Sequence, residues 1–116
     1  MLTDKIERRV SVFKALAHET RVRIAEILAE EGEKCVCELV ERLGFDQSTI
    51  SKHLSVLKNA GVVAPRKDGL NVWYRLEAQC VHQLIKCIDN MDQHGSTEVS
   101  ADCLLVEDSP SMTIKE

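Results

Sequence analysis

Two cysteines separated by one residue, Cys35-Val36-Cys37, are the residues of this chain best suited to chemistry. Thiolates are soft donors that favour thiophilic ions such as As(III), Sb(III), Cd(II) and Zn(II). Their spacing sets a geometric condition. On a straight helix, residues i and i+2 point to different sides, whereas in an extended segment they share a side. A chelate through both therefore requires a non-helical or distorted backbone at this point. The alternative is that both are small hydrophobes, a common role for an unmodified cysteine. Cys80, Cys87 and Cys103 complete an odd set of five. The residues Met1–Lys5 carry no apolar export segment, so the thiols are expected to be reduced and the expected compartment is the cytoplasm.

A second chemistry lies in Asp46-Gln47-Ser48-Thr49-Ile50-Ser51-Lys52-His53-Leu54-Ser55. Ile50 and Leu54 fall at helical spacing and point inward. Gln47, Ser48, Thr49, Ser51, Lys52, His53 and Ser55 are left for an outer face of short polar and basic side chains. That is what a helix entering a DNA groove must offer. Gln pairs with adenine in a bidentate way, and Ser or Thr reaches bases or phosphate oxygens. The bland alternative is an ordinary solvated face, with His53 a packed neutral ring.

The elements that must position these groups are legible from periodicity. Ile6, Val10, Phe13, Leu16 and Ala17 predict a helix over about 4–17. A second runs from Thr20 to a stop at Gly32. Val36, Leu39, Val40 and Leu43 mark a short third, stopped by Gly44. Asp46, a good N-cap, opens a fourth that ends at Gly61. Two short helices joined by Gly44-Phe45-Asp46 read as a helix-turn-helix. The period then changes. Val62–Lys67 and Asn71–Leu76 flank Asp68-Gly69, a strong hairpin signal, and Pro65 confines its strand to an edge. A last helix follows over about 78–91. The predicted fold is mainly α (α+β), a winged helix-turn-helix in the order α-α-α-α-β-β-α. Residues 1–94 form the domain, and residues 95–116 are expected to be a disordered tail. The scarcity of aromatics (Phe13, Phe45, Trp73 and Tyr74) predicts an aliphatic core.

Net charge is −4, which disfavours nucleic acid until its distribution is examined. Residues 1–75 carry 13 Lys and Arg against 11 Asp and Glu, whereas residues 76–116 carry 2 against 8. The acidic sign therefore belongs to the C-terminal part and leaves the middle free to bind DNA. Arg66 and Lys67, beside the hairpin tip, are placed to reach a phosphate or the minor groove. No apolar run approaches the roughly 20 residues of a membrane span, and no membrane partner is expected. No phosphate loop, metal-hydrolase motif or triad is present, so no enzyme is expected.

These motifs together resemble the ArsR/SmtB family of metal- and metalloid-responsive repressors, closest to its arsenic-responsive type. Phe13-Lys14-Ala15-Leu16-Ala17-His18-Glu19-Thr20-Arg21 resembles its opening helix junction, and Cys35-Val36-Cys37-Glu38-Leu39 its thiol motif. Gln47–Leu54 with Leu57–Val63 resembles the recognition helix and its exit. Arg66-Lys67-Asp68-Gly69 and Tyr74-Arg75-Leu76 resemble the wing. The resemblance implies a homodimer with the first and last helices at the interface. It also implies an operator with inverted symmetry and an inducer whose binding lowers DNA affinity. As(III) is the first expected inducer, and Sb(III), Cd(II), Pb(II), Zn(II) or thiol oxidation are alternatives. No cofactor is expected for DNA binding itself.

The family's arsenic sensors often place a third thiol where this chain has Val40. A third ligand would have to come from Cys103, Cys80 or Cys87, of which Cys87 sits among apolar residues and suits a core. A second family site uses Asp and His on the last helix. His82, Asp89, Asp92 and His94 do not reproduce its pattern and read as a solvated face. An inducer at Cys35 and Cys37 is expected to strain the start of the third helix and misaim the fourth. A winged-helix module that binds protein instead of DNA is the competing class.

Overall fold

A computed structural model describes residues 2–91. The expected tail, and with it Asp92, His94 and Cys103, lies outside the described residues. The chain divides into two compact units at Gln79 and Cys80.

The first unit holds helices α1 (Leu2–Leu16), α2 (Glu19–Glu31), α3 (Val36–Leu43) and α4 (Gln47–Asn59). Its strands are β1 (Lys34–Cys35), β2 (Val63–Asp68) and β3 (Asn71–Leu76). The three form one antiparallel sheet in the order β1-β3-β2. The fold is thus a mainly α winged helix-turn-helix with a three-stranded sheet. The expected order is corrected at one place: β1 lies between α2 and α3. A two-residue strand is too short to show a period of its own. It exists because Lys34 and Cys35 pair with Tyr74 and Trp73, about forty residues further on.

Local signals account for the boundaries. The α3 helix stops at Gly44, whose φ of 80° places it in the left-handed region while its amide donates to the Val40 carbonyl. The Asp46 carboxylate accepts from the Thr49 amide at 3.1 Å and opens α4. Asp68 and Asn71 face each other across the hairpin, with Gly69 at φ 67° in its turn. Pro65 falls on β2, an outer strand of the sheet.

The core of this unit is aliphatic. Ile24, Leu39, Ile50, Leu54, Leu57 and Val62 are fully enclosed. They seat α2, α3 and α4 against one another and against the root of the wing, while Phe13 and Phe45 remain exposed. On α1 a stripe of Ile6, Val10 and Phe13 is open, each at least 41% exposed.

The second unit is described through α5 (Cys80–Met91). Leu84, Ile88 and Met91 are exposed along it. No helix among the described residues is long and apolar enough to cross a membrane.

Candidate functional site

The turn from Leu43 to Gln47 sets α4 beyond α3 with its N-terminal face outward. Gln47, Ser48, Lys52 and Ser55 are exposed, whereas Thr49, Ser51 and His53 are half-buried. Asp46 spends its carboxylate on the cap, and the hydrogen bonds from Thr49 hold its pKa below the usual value. The buried stripe Ile50, Leu54 and Leu57 leaves Ser48, Lys52 and Ser55 exposed on the opposite face of α4.

His53 faces inward from this surface. Its ring lies 4.5 Å from that of His18, tilted by 45°. His18 is the N-cap of α2, with Nδ1 accepting from the Thr20 amide at 3.0 Å. Burial, with the neighbouring His18 and Arg21, pushes the His53 pKa down. This pairing joins α4 to the start of α2. The family-like His18-Glu19-Thr20 stretch was its only trace in the sequence.

The thiol pair sits at a change of backbone state. Cys35 ends β1 and serves as N-cap of α3, extended at φ −87° and ψ 164°. Cys37 is the second residue of the helix. The non-helical start that a shared chelate requires is therefore present. The Cα atoms are 5.4 Å apart and the two sulfurs are joined as a disulfide, which corrects the expectation that this pair of thiols is reduced. Cys35 is buried and Cys37 exposed, so the pair opens to solvent on one side only. Glu38 Oε1 accepts from the Cys35 amide at 3.0 Å and fixes the backbone of this corner.

Carboxylates brace the corner from both sides. Glu31 takes both guanidinium nitrogens of Arg42, at 2.6 and 2.9 Å, and the Lys34 ammonium at 3.2 Å. The Arg42 hydrogen bonds, followed by that of Lys34, draw the Glu31 pKa down to about 2. Glu33 takes Arg66 in the same two-pronged way, at 3.0 and 2.8 Å. Arg66 also lies 3.7 Å from Asp68, leaving Lys67 as a wing cation without an ion pair among the described residues.

The remaining candidates lie elsewhere. Cys80 is exposed and Cys87 half-buried, both on α5. His82 and Asp89 are on the same helix. Among the described residues, no three His, Cys, Asp or Glu side chains gather as a metal site.

A family profile described as "Bacterial regulatory protein, arsR family" matches residues 18–64. An uncharacterised HTH-type transcriptional regulator of Methanocaldococcus jannaschii is 40% identical over 88 residues, covering 76% of this chain and 99% of that one. The chain belongs to the ArsR family. The arsenical resistance operon repressor of Escherichia coli is 42% identical to this ArsR-family chain over 80 residues, 69% of it and 68% of the repressor. Among solved structures, HlyU from Vibrio cholerae superposes with a TM-score of 0.66 at 33% identity, over 75% of this chain and 94% of that one. ArsR-family proteins are DNA-binding transcriptional regulators and not catalytic enzymes. This member carries, at the start of α3, a cysteine pair compatible with thiophilic ions.

Proposed function

We propose that this ArsR-family regulator is a repressor that holds operator DNA as a homodimer and lets go when arsenite, or another thiophilic ion, is captured by Cys35 and Cys37. The observation that carries this is the meeting of the two sulfurs where β1 becomes α3. That helix is the first half of the DNA-reading motif. An ion that pulls on both thiolates acts on its first turn, and α4 follows through the Gly44 turn. A coupling of about 1–3 kcal/mol suffices to weaken DNA binding roughly 5- to 150-fold.

Gln47, Ser48, Thr49, Ser51, Lys52 and Ser55 are the side chains assigned to the groove and its phosphates, with Lys67 from the wing. Homodimerisation is supported by the open apolar stripes of α1 and of α5, each of which needs cover. Two recognition helices one duplex turn apart then match an inverted repeat. Arsenite is placed first because thiolate-only donor sets suit it, with Sb(III), Cd(II), Pb(II) and Zn(II) behind it.

The joined sulfurs favour a second reading, a dithiol–disulfide switch. There a peroxide would take two electrons and two protons from the pair, closing the S–S bond and leaving water. Gel shifts on an inverted-repeat operator separate the readings. Arsenite, Cd(II), Zn(II) and hydrogen peroxide are added in turn to the reduced wild-type chain and to C35S and C37S. Release by arsenite that survives both substitutions removes the Cys35–Cys37 assignment. Absence of DNA affinity at low salt favours a protein-binding module instead.

A further inference from the structure

One rung of the sheet connects the thiol pair to the wing. Cys35 on β1 pairs with Trp73 on β3, and Trp73 pairs with Arg66 on β2. Residues on one rung of an antiparallel sheet present their side chains to the same face. Consistent with this, the Arg66 guanidinium carbon stands 5.9 Å from the centre of the Trp73 ring. It passes that ring to reach Glu33, two residues before Cys35, and engages both carboxylate oxygens. The cation at the wing is thus tied, across all three strands, to the segment that carries the thiol.

Exposed ion pairs contribute little to stability. The Glu33–Arg66 pair, with side chains 31% and 46% exposed, is of that kind. What its bidentate geometry supplies is orientation: two parallel N–H···O bonds fix the guanidinium plane. A residue that fixes the wing relative to β1 is badly spent on stability but well placed for transmission. A shift of Cys35 is passed to Glu33, one residue ahead of β1, and to Trp73 on the partner strand, and both hold Arg66.

We propose that Glu33 is a positioning residue of the regulatory response: by clamping Arg66 over Trp73 it makes the wing follow the state of the Cys35–Cys37 pair. This rests on the thiol reading given above. It adds a second route to the duplex, through β1, β3 and β2, beside the route through α3 and α4. In the DNA-competent state Arg66 stays on Glu33 and Lys67 is the wing's phosphate contact. Capture of a thiophile displaces β1, the clamp opens and the wing loses its setting.

Trp73 is the only tryptophan of the chain and reports on the clamp directly. The probe is phenylarsine oxide, which forms two As–S bonds with a dithiol and releases its oxygen, with the two thiol protons, as water. It is added to the reduced full chain, and operator affinity and Trp73 emission are both followed. The C35S/C37S double variant is carried as a control. In the wild type, operator affinity is expected to fall at least about fivefold and Trp73 emission to shift. In E33Q the reagent still binds, but the loss of affinity is at least about twofold smaller than in wild type, the remainder being carried through α3 and α4. Trp73 emission in E33Q before addition already resembles that of loaded wild type. R66Q, read by Trp73 emission alone, gives the same signature without depending on DNA contacts. Undiminished coupling in E33Q with unchanged Trp73 emission overturns the clamp and leaves the thiol reading standing. A wild-type chain that does not respond, or a double variant that responds equally, overturns both.

Discussion

Cys35 and Cys37 stand on either side of a backbone transition, one closing an extended strand and the other inside the first turn of a helix, with Cα atoms 5.4 Å apart. The transition solves the problem that i, i+2 spacing poses on a continuous helix. It also gives the two thiols unequal surroundings, Cys35 buried and Cys37 exposed. The substitutions should therefore differ in stability and agree in function. Under reducing conditions, C35S places a hydroxyl in a buried site and is expected to cost about 1–3 kcal/mol. C37S should stay within about 0.5 kcal/mol of wild type. Both should abolish release of operator by arsenite. Urea unfolding and gel shifts check the two halves, and equal stability losses would contradict the asymmetry.

The two faces of α4 should separate folding from recognition. Leu54 is fully enclosed, and Leu54→Ala is expected to destabilise the chain by about 2–5 kcal/mol. Gln47 is exposed at the N-terminal end of the same helix. Gln47→Ala should leave stability within about 0.5 kcal/mol yet relax discrimination at one operator base pair by about 1–3 kcal/mol. Unfolding curves together with binding to a panel of single-base operator variants test both.

Cations on the recognition helix and wing should be visible in salt dependence. Lys52 and Lys67 are exposed and Lys67 has no ion pair among the described residues. Replacing either with Ala should lower the slope of log K against log salt by about one. The weakening should be uniform across operator sequences. Fluorescence anisotropy from low to moderate salt measures it, and an unchanged slope would remove that lysine from the phosphate contacts.

The His18–His53 contact should make stability depend on pH in one direction. The His53 pKa lies below 6.5 because burial, then His18 and Arg21, penalise its charged form. The unfolded chain therefore takes up the proton first as pH falls. The stabilisation is fully present above about pH 6.5 and is lost as pH drops through the folded-state value. Thermal melts between pH 5 and 8 should show Tm falling on the acid side, with the fall reduced in H53Q. Parallel curves for the two proteins would show that the ring pair is not responsible.

Much of this architecture was legible along the chain because its signals are local. Gly44, Asp46 and the Asp68-Gly69 turn each declare a boundary within a few residues, and the inward stripe of α4 follows from spacing alone. The need for a non-helical backbone at Cys35 came from the chemistry of two thiolates. What the sequence hid is non-local. The strand β1 exists only through its partners Tyr74 and Trp73. Arg66 reads as a DNA contact beside a hairpin tip, yet its guanidinium is engaged by Glu33, thirty-three positions earlier in the chain. The packing of His18 on His53 joins two helices that no periodicity links.

Pro65 has a meaning for the protein as a population of molecules. An outer strand ordinarily offers its amide protons to any other extended segment nearby. A ring nitrogen in the middle of β2 deletes one of those donors. Two such strands brought side by side thus lack a continuous template for zipping together, and each hairpin keeps its outer edge to itself.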